Sequence, residues 1–570
     1  VEIMSTDTDS TGADAADAVT APLDLLLTDA ALGALRRLNP GGAGLRLAAA
    51  LAARPWFVAR QSRQLLGEMG RIAVGTSEVR PSQRDRRFAD SGWENNALLR
   101  RVLQTYLAAA QSAEGTVAGA DLDWADAERV GFALTNLVDA LAPSNNPVLN
   151  PAALKAVIDT GGSSALTGLR NFAKDMAAPP RVPSMVEPDA FEVGANLAVT
   201  PGAVVLRTPV FELIQYRPVT STVRQVPLLI VPPTINKFYV IDLAPGRSMA
   251  EYLVGQGQQV FMISWRNPDA RNAAWDFDTY GQAILDAMDT AARITRSERT
   301  ALMGVCSGGL LAAMVAAHLA DIGKQDQIAA LTLMVTVLDE ARAGLAGAVI
   351  DERSARLAAA ASKARGYLDG RALAEVFAWL RPNDLIWNYW VNNYLLGRKP
   401  PPFDILFWNA DTTRMTAALH RDFLQLGVTN GLVRPGGVTM LGSPVDLSLV
   451  DRDSYLVAGI TDHICPWESC YQSTQLLGGS KRFVLSTSGH IAAMVNPPGN
   501  EKARYQVAKD CPADPREWLR HAESCRGSWW PDYVGWLAEH CGEETAAPDE
   551  LGGGRLEPLC DAPGTYVYDR

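Results

Sequence analysis

A mostly parallel α/β domain, preceded by an all-helical domain, is the architecture the sequence predicts. Three observations predict it. Short apolar runs alternate with helical patterns after residue 184, and such alternation builds parallel sheets covered by helices. Before that point the apolar residues recur at helical spacing. Between the two lies the break Pro179-Pro180-Arg181-Val182-Pro183. A chain of 570 residues is too long for one core. Its 48% apolar and 20% charged residues are those of a folded, not a disordered, chain.

Residues 1–22 carry few bulky apolar groups and are expected to be a disordered N-terminal tail. Residues 23–183 form the expected helical domain. Leu25, Leu26, Leu32, Leu35 and Leu38 recur near helical spacing before Asn39-Pro40-Gly41-Gly42 interrupts them. Arg36, Arg37, Arg46, Arg54, Arg60 and Arg63 stud this region. They are read either as solvated helix faces or as one amphipathic surface meeting a hydrophobic body. The catalytic domain is expected over 184–545. Its strands are read at Val204–Tyr216, Val226–Val231, Val260–Ser264, Thr300–Val305, Ile328–Leu338, Tyr455–Ile460 and Arg482–Ser486. Residues 339–448, rich in Trp, Asn and Leu, interrupt the alternation and read as a cap insertion over the sheet's C-terminal ends. Residues 546–570 read as a C-terminal tail.

The chemistry centres on Leu302-Met303-Gly304-Val305-Cys306-Ser307-Gly308-Gly309. This is strand, sharp turn, helix, in the pattern G-x-C-x-G: the nucleophile elbow of the α/β-hydrolase fold with cysteine in place of serine. Cys306 is the candidate nucleophile. The backbone N–H of Ser307, at the helix start, is a candidate oxyanion donor. A second donor is expected from Val231-Pro232-Pro233-Thr234-Ile235-Asn236-Lys237, with Ile235 as the candidate. Among six histidines, His490 follows the last apolar run and occupies the place of this fold's base. Asp462 follows the preceding strand, which completes the order nucleophile, acid, histidine. His463 is the competing base. His463, Cys465 and Cys470 could be read as metal ligands, but a fourth ligand is missing from the pattern, so no metal is expected.

A net charge of −11, with acidic residues spread along the chain, argues against nucleic acid as a partner. No run approaches ~18 consecutive apolar residues, so no transmembrane segment is expected. Val1–Leu23 does not resemble a secretory signal. With seven widely spaced cysteines, a cytoplasmic protein with reduced thiols is expected.

These residues also carry a resemblance. Gly304-Val305-Cys306-Ser307-Gly308-Gly309 resembles the lipase-like box of the polyhydroxyalkanoate synthases. So do Pro233–Tyr239, Ser264-Trp265-Arg266-Asn267-Pro268, Phe403–Asn409, Asp462–Trp467, Ser488-Gly489-His490-Ile491 and Gly527-Ser528-Trp529-Trp530-Pro531. In the N-terminal part, Asp85-Arg86-Arg87-Phe88, Trp93, Tyr106-Leu107 and Asn150-Pro151 are similar too. The similarity covers roughly residues 25–540 and is of the class I/II type. Ser307 and Arg86-Arg87-Phe88 look more like the synthases for medium-length side chains. The resemblance implies polymerisation of (R)-3-hydroxyacyl-CoA thioesters into a polyester with release of CoA. It implies Cys306 as acyl-bearing nucleophile, His490 as general base and Asp462 as catalytic aspartate. It further implies no cofactor beyond the CoA of the substrate, a homodimer, and cytoplasmic granules to which the growing polyester chain belongs. A cysteine-nucleophile esterase or polyester depolymerase on the same fold is the competing reading. Its product would be free hydroxy acid.

Overall fold

The computed structural model describes residues 40–340 and 352–570, apart from 84 and 179. The expected N-terminal tail, the leucines at 25–38 and residues 341–351 of the expected cap lie outside the described residues. The chain divides into two compact units. One takes in residues 189–370 and 404–570; the other takes in 40–188 and 371–403.

The helical unit is built from well-signalled helices. Pro55 begins the Pro55–Val74 helix, and Gly75 ends it in the left-handed conformation. Asn96 caps Ala97–Ala118 by accepting from the Leu98 and Leu99 amides, and Asn150 caps Pro151–Asp159 through the Ala153 amide. Phe88, Trp93, Leu99, Leu103 and Ala142 form a buried cluster. Residues 371–403, read from sequence as part of the cap, pack within this unit. Arg87 donates to Asp139 and to Asn383, at 3.1 and 3.0 Å. Asn171 donates to the Asn393 carbonyl at 3.1 Å. Gly168 lies against the Tyr394 carbonyl so closely that any Cβ would collide with it. The basic residues divide: Arg46 and Arg54 pair with Asp126 and Asp121.

The other unit is organised on one sheet of eleven strands. They are β1 Gly202–Arg207, β2 Phe211–Tyr216, β3 Leu228–Val231, β4 Val260–Trp265, β5 Thr300–Val305 and β6 Ile328–Met334. The rest are β7 Ser454–Gly459, β8 Lys481–Ser486, β9 Arg504–Val507, β10 Glu523–Arg526 and β11 Cys560–Asp561. Their spatial order is β10-β9-β8-β7-β6-β5-β3-β4-β2-β1-β11. The six central strands, β8 to β4 in that order, are parallel; every outer pairing is antiparallel. Strands β3, β4, β5 and β7 are buried along their whole length, which is why they read as continuous apolar runs rather than alternating ones. The helix Ser307–Asp321 follows β5 and is buried nearly end to end.

Three stretches differ from the sequence reading, the first being Val204–Tyr216, which is not one strand but the antiparallel hairpin of β1 and β2. Residues 546–570 are not a loose tail. Glu544–Ala546 pairs with Thr222–Arg224, β11 extends the sheet beside β1, and the buried Lys237 ammonium donates to the carbonyls of Val567 and Asp569, at 2.7 and 2.6 Å. These strands are two or three residues long, too short to leave a periodic pattern. In the expected cap, only 339–340, 352–370 and 404–448 among the described residues belong with the sheet. There the segment around Asp404–Ala410 docks on the loop after β3. Trp408 donates to the Lys237 carbonyl at 2.7 Å, Tyr239 donates to Asp411 at 3.0 Å, and Asn236 bridges to Thr412. Among the described residues, no helix is long and apolar enough to cross a membrane.

Candidate active site

The elbow forms as its glycines dictate. Cys306 sits at φ 51°, ψ −120°, between the end of β5 and the Ser307–Asp321 helix. A non-glycine residue with positive φ is uncommon, and such strain gathers at functional sites. A Cβ on Gly308 would strike the carbonyl oxygens of Val231 and Pro232, and one on Gly304 would strike Gly309 and Ala312. The next strand end is strained as well, with Val335 at φ 45°. Gly308→Ala is therefore expected to destabilise the fold by about 1–3 kcal/mol, as overpacking does. The urea midpoint of unfolding checks this; an unchanged midpoint would show that the turn has room to spare.

His490 opens the short helix His490–Met494 after β8. Its Nδ1 lies 2.7 Å from Asp462 Oδ2. The other carboxylate oxygen, Oδ1, accepts from the Ile464 and Cys465 amides at 2.8 and 2.9 Å. Asp462 is thus held by its own turn while it orients the imidazole. The last turn of the His490 helix is anchored in its own right. The Trp529 and Trp530 indoles donate to the carbonyls of Ala493 and Met494, at 2.7 and 3.0 Å. Behind β7, Tyr455 packs on Trp529, Tyr533 and Trp536. Trp529 and Trp530 thereby anchor the helix that begins at His490.

The structure brings Cys306, Asp462 and His490 together. The sulfur of Cys306, the sulfur of Cys465 and a ring nitrogen of His490 all lie within 4.8 Å of one another. His463 is not in that group. Cys306, Cys465, Asp462 and His490 are all buried, with Cys306 4% exposed and His490 7%. The pocket beside the thiol is lined by Leu310, Val335, Val337 and Ile464 together with Cys306 and Cys465, and Glu340 is the one acidic side chain in that lining. Contact with the Cys465 sulfur and burial push the Cys306 thiol well up, while His490 pulls it down. Burial alone would lower the His490 imidazole; the charge and hydrogen bond of Asp462, with help from Cys306, outweigh it and push it up to about 10.

On the opposite wall, Ser307 is fully buried, and its hydroxyl accepts from the Thr234 amide at 2.9 Å. That bond ties the start of the elbow helix to the loop after β3. Trp265, at the end of β4, steadies the same loop through the Pro232 carbonyl at 3.0 Å. Ile235 is the next residue along and is buried. The Ser307 amide is in the first turn of its helix, where N–H groups have no intrahelical acceptor. Cys465 is the neighbour that the sequence reading did not place beside Cys306. Its position follows from the Asp462 turn, since a carboxylate accepting from the amide three residues on folds that residue back into the site.

A parallel sheet with a cysteine elbow after β5, an acid after β7 and a histidine after β8 defines an α/β-hydrolase-fold protein, and a family model described as alpha/beta hydrolase fold matches residues 227–497. A second, described as "Poly-beta-hydroxybutyrate polymerase (PhaC) N-terminus", matches residues 84–253. The chain is 46% identical over 503 residues to poly(3-hydroxyalkanoate) polymerase 1 of Ectopseudomonas oleovorans, covering 88% of this chain and 90% of that one. It is 40% identical over 503 residues to the poly(3-hydroxyalkanoate) polymerase subunit of Cupriavidus necator, covering 87% and 85%. A solved hydrolase from Pseudomonas aeruginosa aligns with 51% of this chain and 92% of its own, at 14% identity and a TM-score of 0.30. The chain belongs to the poly(3-hydroxyalkanoate) polymerase family, and it is an enzyme of the acyltransferase type.

Proposed function

We propose that the protein polymerises (R)-3-hydroxyacyl-CoA thioesters into polyhydroxyalkanoate, releasing CoA, with the growing acyl group carried on Cys306. The observation that carries this reading is a buried thiol in contact with the His490–Asp462 pair, in a chain of this family. Attack of Cys306 on the acyl-CoA exchanges one thioester for another at little cost, and the acyl group stays reactive. His490 takes the thiol proton and passes it to the departing CoA thiolate. The 3-hydroxyl of an incoming hydroxyacyl-CoA then gives its proton to His490 and attacks the acyl-cysteine. The C–S bond breaks, a more stable oxoester forms on that unit, and Cys306 leaves as thiolate and recovers the proton from His490. The lengthened CoA thioester then re-acylates Cys306 and releases CoA. The amides of Ser307 and Ile235 are the oxyanion donors in this scheme. Burial of the thiol among apolar side chains disfavours water as the competing nucleophile. No cofactor is required, because CoA arrives with the substrate.

The same reading includes a homodimer acting at cytoplasmic polyester granules. Supporting it, the helical unit exposes large apolar side chains, with Leu45, Trp56 and Leu66 exposed by 76, 87 and 71%. Changing these three to Glu is expected to lower co-sedimentation with granules severalfold, while CoA release from soluble substrate persists. Equal co-sedimentation would assign granule contact elsewhere.

The reaction itself is tested by following CoA release from (R)-3-hydroxyacyl-CoA together with turbidity. Insoluble polyester in step with CoA is the expected result. Free hydroxy acid in its place would establish a hydrolase.

A further inference from the structure

We propose that Cys306, Cys465 and His490 form a binding site for a thiophilic divalent cation, Zn²⁺ above all, which holds the enzyme in an inhibited, unacylated state. The inhibitory part rests on the reading of Cys306 as the acyl carrier; the binding part does not.

The three ligand atoms already converge within 4.8 Å, and all three residues are buried. A tetrahedral zinc with Zn–S bonds of about 2.3 Å spaces its ligands about 3.8 Å apart, which modest rotation of the two thiols reaches. The histidine is presented as metal-binding histidines are. Its Nδ1 is taken by Asp462 at 2.7 Å, so the ring is oriented and the opposite nitrogen faces the thiols. Asp462 is in turn fixed by the Ile464 and Cys465 amides. The same turn that orients the base therefore supplies the second sulfur. Three protein ligands leave a fourth position, which opens on the pocket lined by Leu310, Val335, Val337 and Glu340.

Charge and softness select the ion. Zn²⁺ binds the two sulfurs as thiolates and the imidazole through its lone pair, displacing to solvent the two thiol protons and the proton that His490 holds on that nitrogen. The two thiolate charges cancel the cation's, so the buried complex of metal and sulfurs carries no net charge. Mg²⁺ and Ca²⁺ prefer a full shell of oxygen ligands, whereas the converged atoms are two sulfurs and a nitrogen, with Glu340 the one carboxylate in the pocket lining. With its sulfur and the base's lone pair both on the metal, Cys306 can neither attack a thioester nor lose a proton to His490.

The test uses the purified full chain in a thiol-free reductant. Zn²⁺ is titrated in competition with a chromophoric chelator, and Co²⁺ is used as a spectroscopic probe. The expected result is one equivalent bound, at least ~100-fold more tightly than by Cys465→Ser, since loss of an outer-shell partner alone costs up to about that much. Cys470→Ser, whose thiol is directed at the Cys465 carbonyl, should bind like the unmodified protein. Cobalt should show thiolate charge-transfer absorption. CoA release, scaled to each protein's own activity in EDTA, should be suppressed by Zn²⁺ and restored by the chelator. Suppression of Cys465→Ser should need at least ~100-fold more metal.

Equal binding by Cys465→Ser would overturn the site. If that variant does not fold, a cobalt complex without thiolate absorption in the unmodified protein overturns it as well. Normal acylation of Cys306 without stoichiometric Zn²⁺ binding would defeat the metal site and leave the proposed reaction standing. Cys465-dependent binding with undiminished polymer formation would defeat the inhibition, and with it Cys306 as acyl carrier.

Discussion

Cys306→Ser is expected to lower polymer formation at least ~100-fold, a barrier increase of about 2.7 kcal/mol. The substitution is nearly isosteric, so the loss would be chemical. A serine hydroxyl is far less acidic than a thiol, and His490 could activate it only within the transition state. If acylation did occur, the acyl group would sit as an oxoester, more stable than the thioester it came from. The next transfer would then run oxoester to oxoester, without the downhill drive a thioester supplies. Both half-steps suffer, and residual activity should show slow acylation with a long-lived acyl-enzyme. CoA release, polymer mass and intact-protein mass spectrometry check this. Near-normal yield at near-normal rate would remove both the nucleophile and the thioester argument.

Asp462→Asn is expected to spare part of the first acylation and to stall elongation, by roughly 100-fold or more in steady-state CoA release. The reason is the difference between the two protons His490 must take. A thiol gives up its proton readily; the incoming 3-hydroxyl does not, and needs the full basicity that the Asp462 carboxylate confers. First-turnover release compared with steady-state release separates the two. Unchanged steady-state turnover would remove Asp462 from the mechanism. The same substitution has a signature in stability. With His490 pushed up to about 10 from its ordinary 6.5, the folded protein keeps a proton that the unfolded chain loses across that window. The resulting stabilisation is fully present below pH 6.5 and disappears as pH rises through about 10. Without the carboxylate, burial is left to lower the imidazole, so the decline in urea stability between those pH values should flatten. An identical decline in the variant would show that Asp462 is not what raises His490.

Much of the site was legible because its chemistry constrains neighbours in the chain. The elbow needs glycine at 304 and 308, where any Cβ would collide, and leaves a pattern that can be read directly. The order Cys306, Asp462, His490 follows from their places after β5, β7 and β8. What could not be read was proximity set by folding at a distance. Nothing in the sequence distinguishes His490 from His463 by geometry; the Asp462 turn does, with Oδ2 aimed at one and Oδ1 occupied by local amides. The grouping of 371–403 with the helical unit rests on contacts such as Arg87 with Asn383, nearly three hundred residues apart. The outer strands β9, β10 and β11 are only two to four residues long. Their antiparallel edge positions leave no continuous apolar run of the kind that marks β3 to β5.

The central claim, that Cys306 carries the growing chain, is tested most directly by trapping the acyl-enzyme. The full protein is mixed with a small excess of (R)-3-hydroxyacyl-CoA, quenched in acid within the first turnovers, digested and read by mass spectrometry. The expected result is one or more hydroxyacyl units on the peptide containing Cys306, removed by neutral hydroxylamine as a thioester is, and absent from Cys306→Ser on the same time scale. Stoichiometric CoA release with Cys306 unmodified, or with the acyl group on another residue, would contradict it.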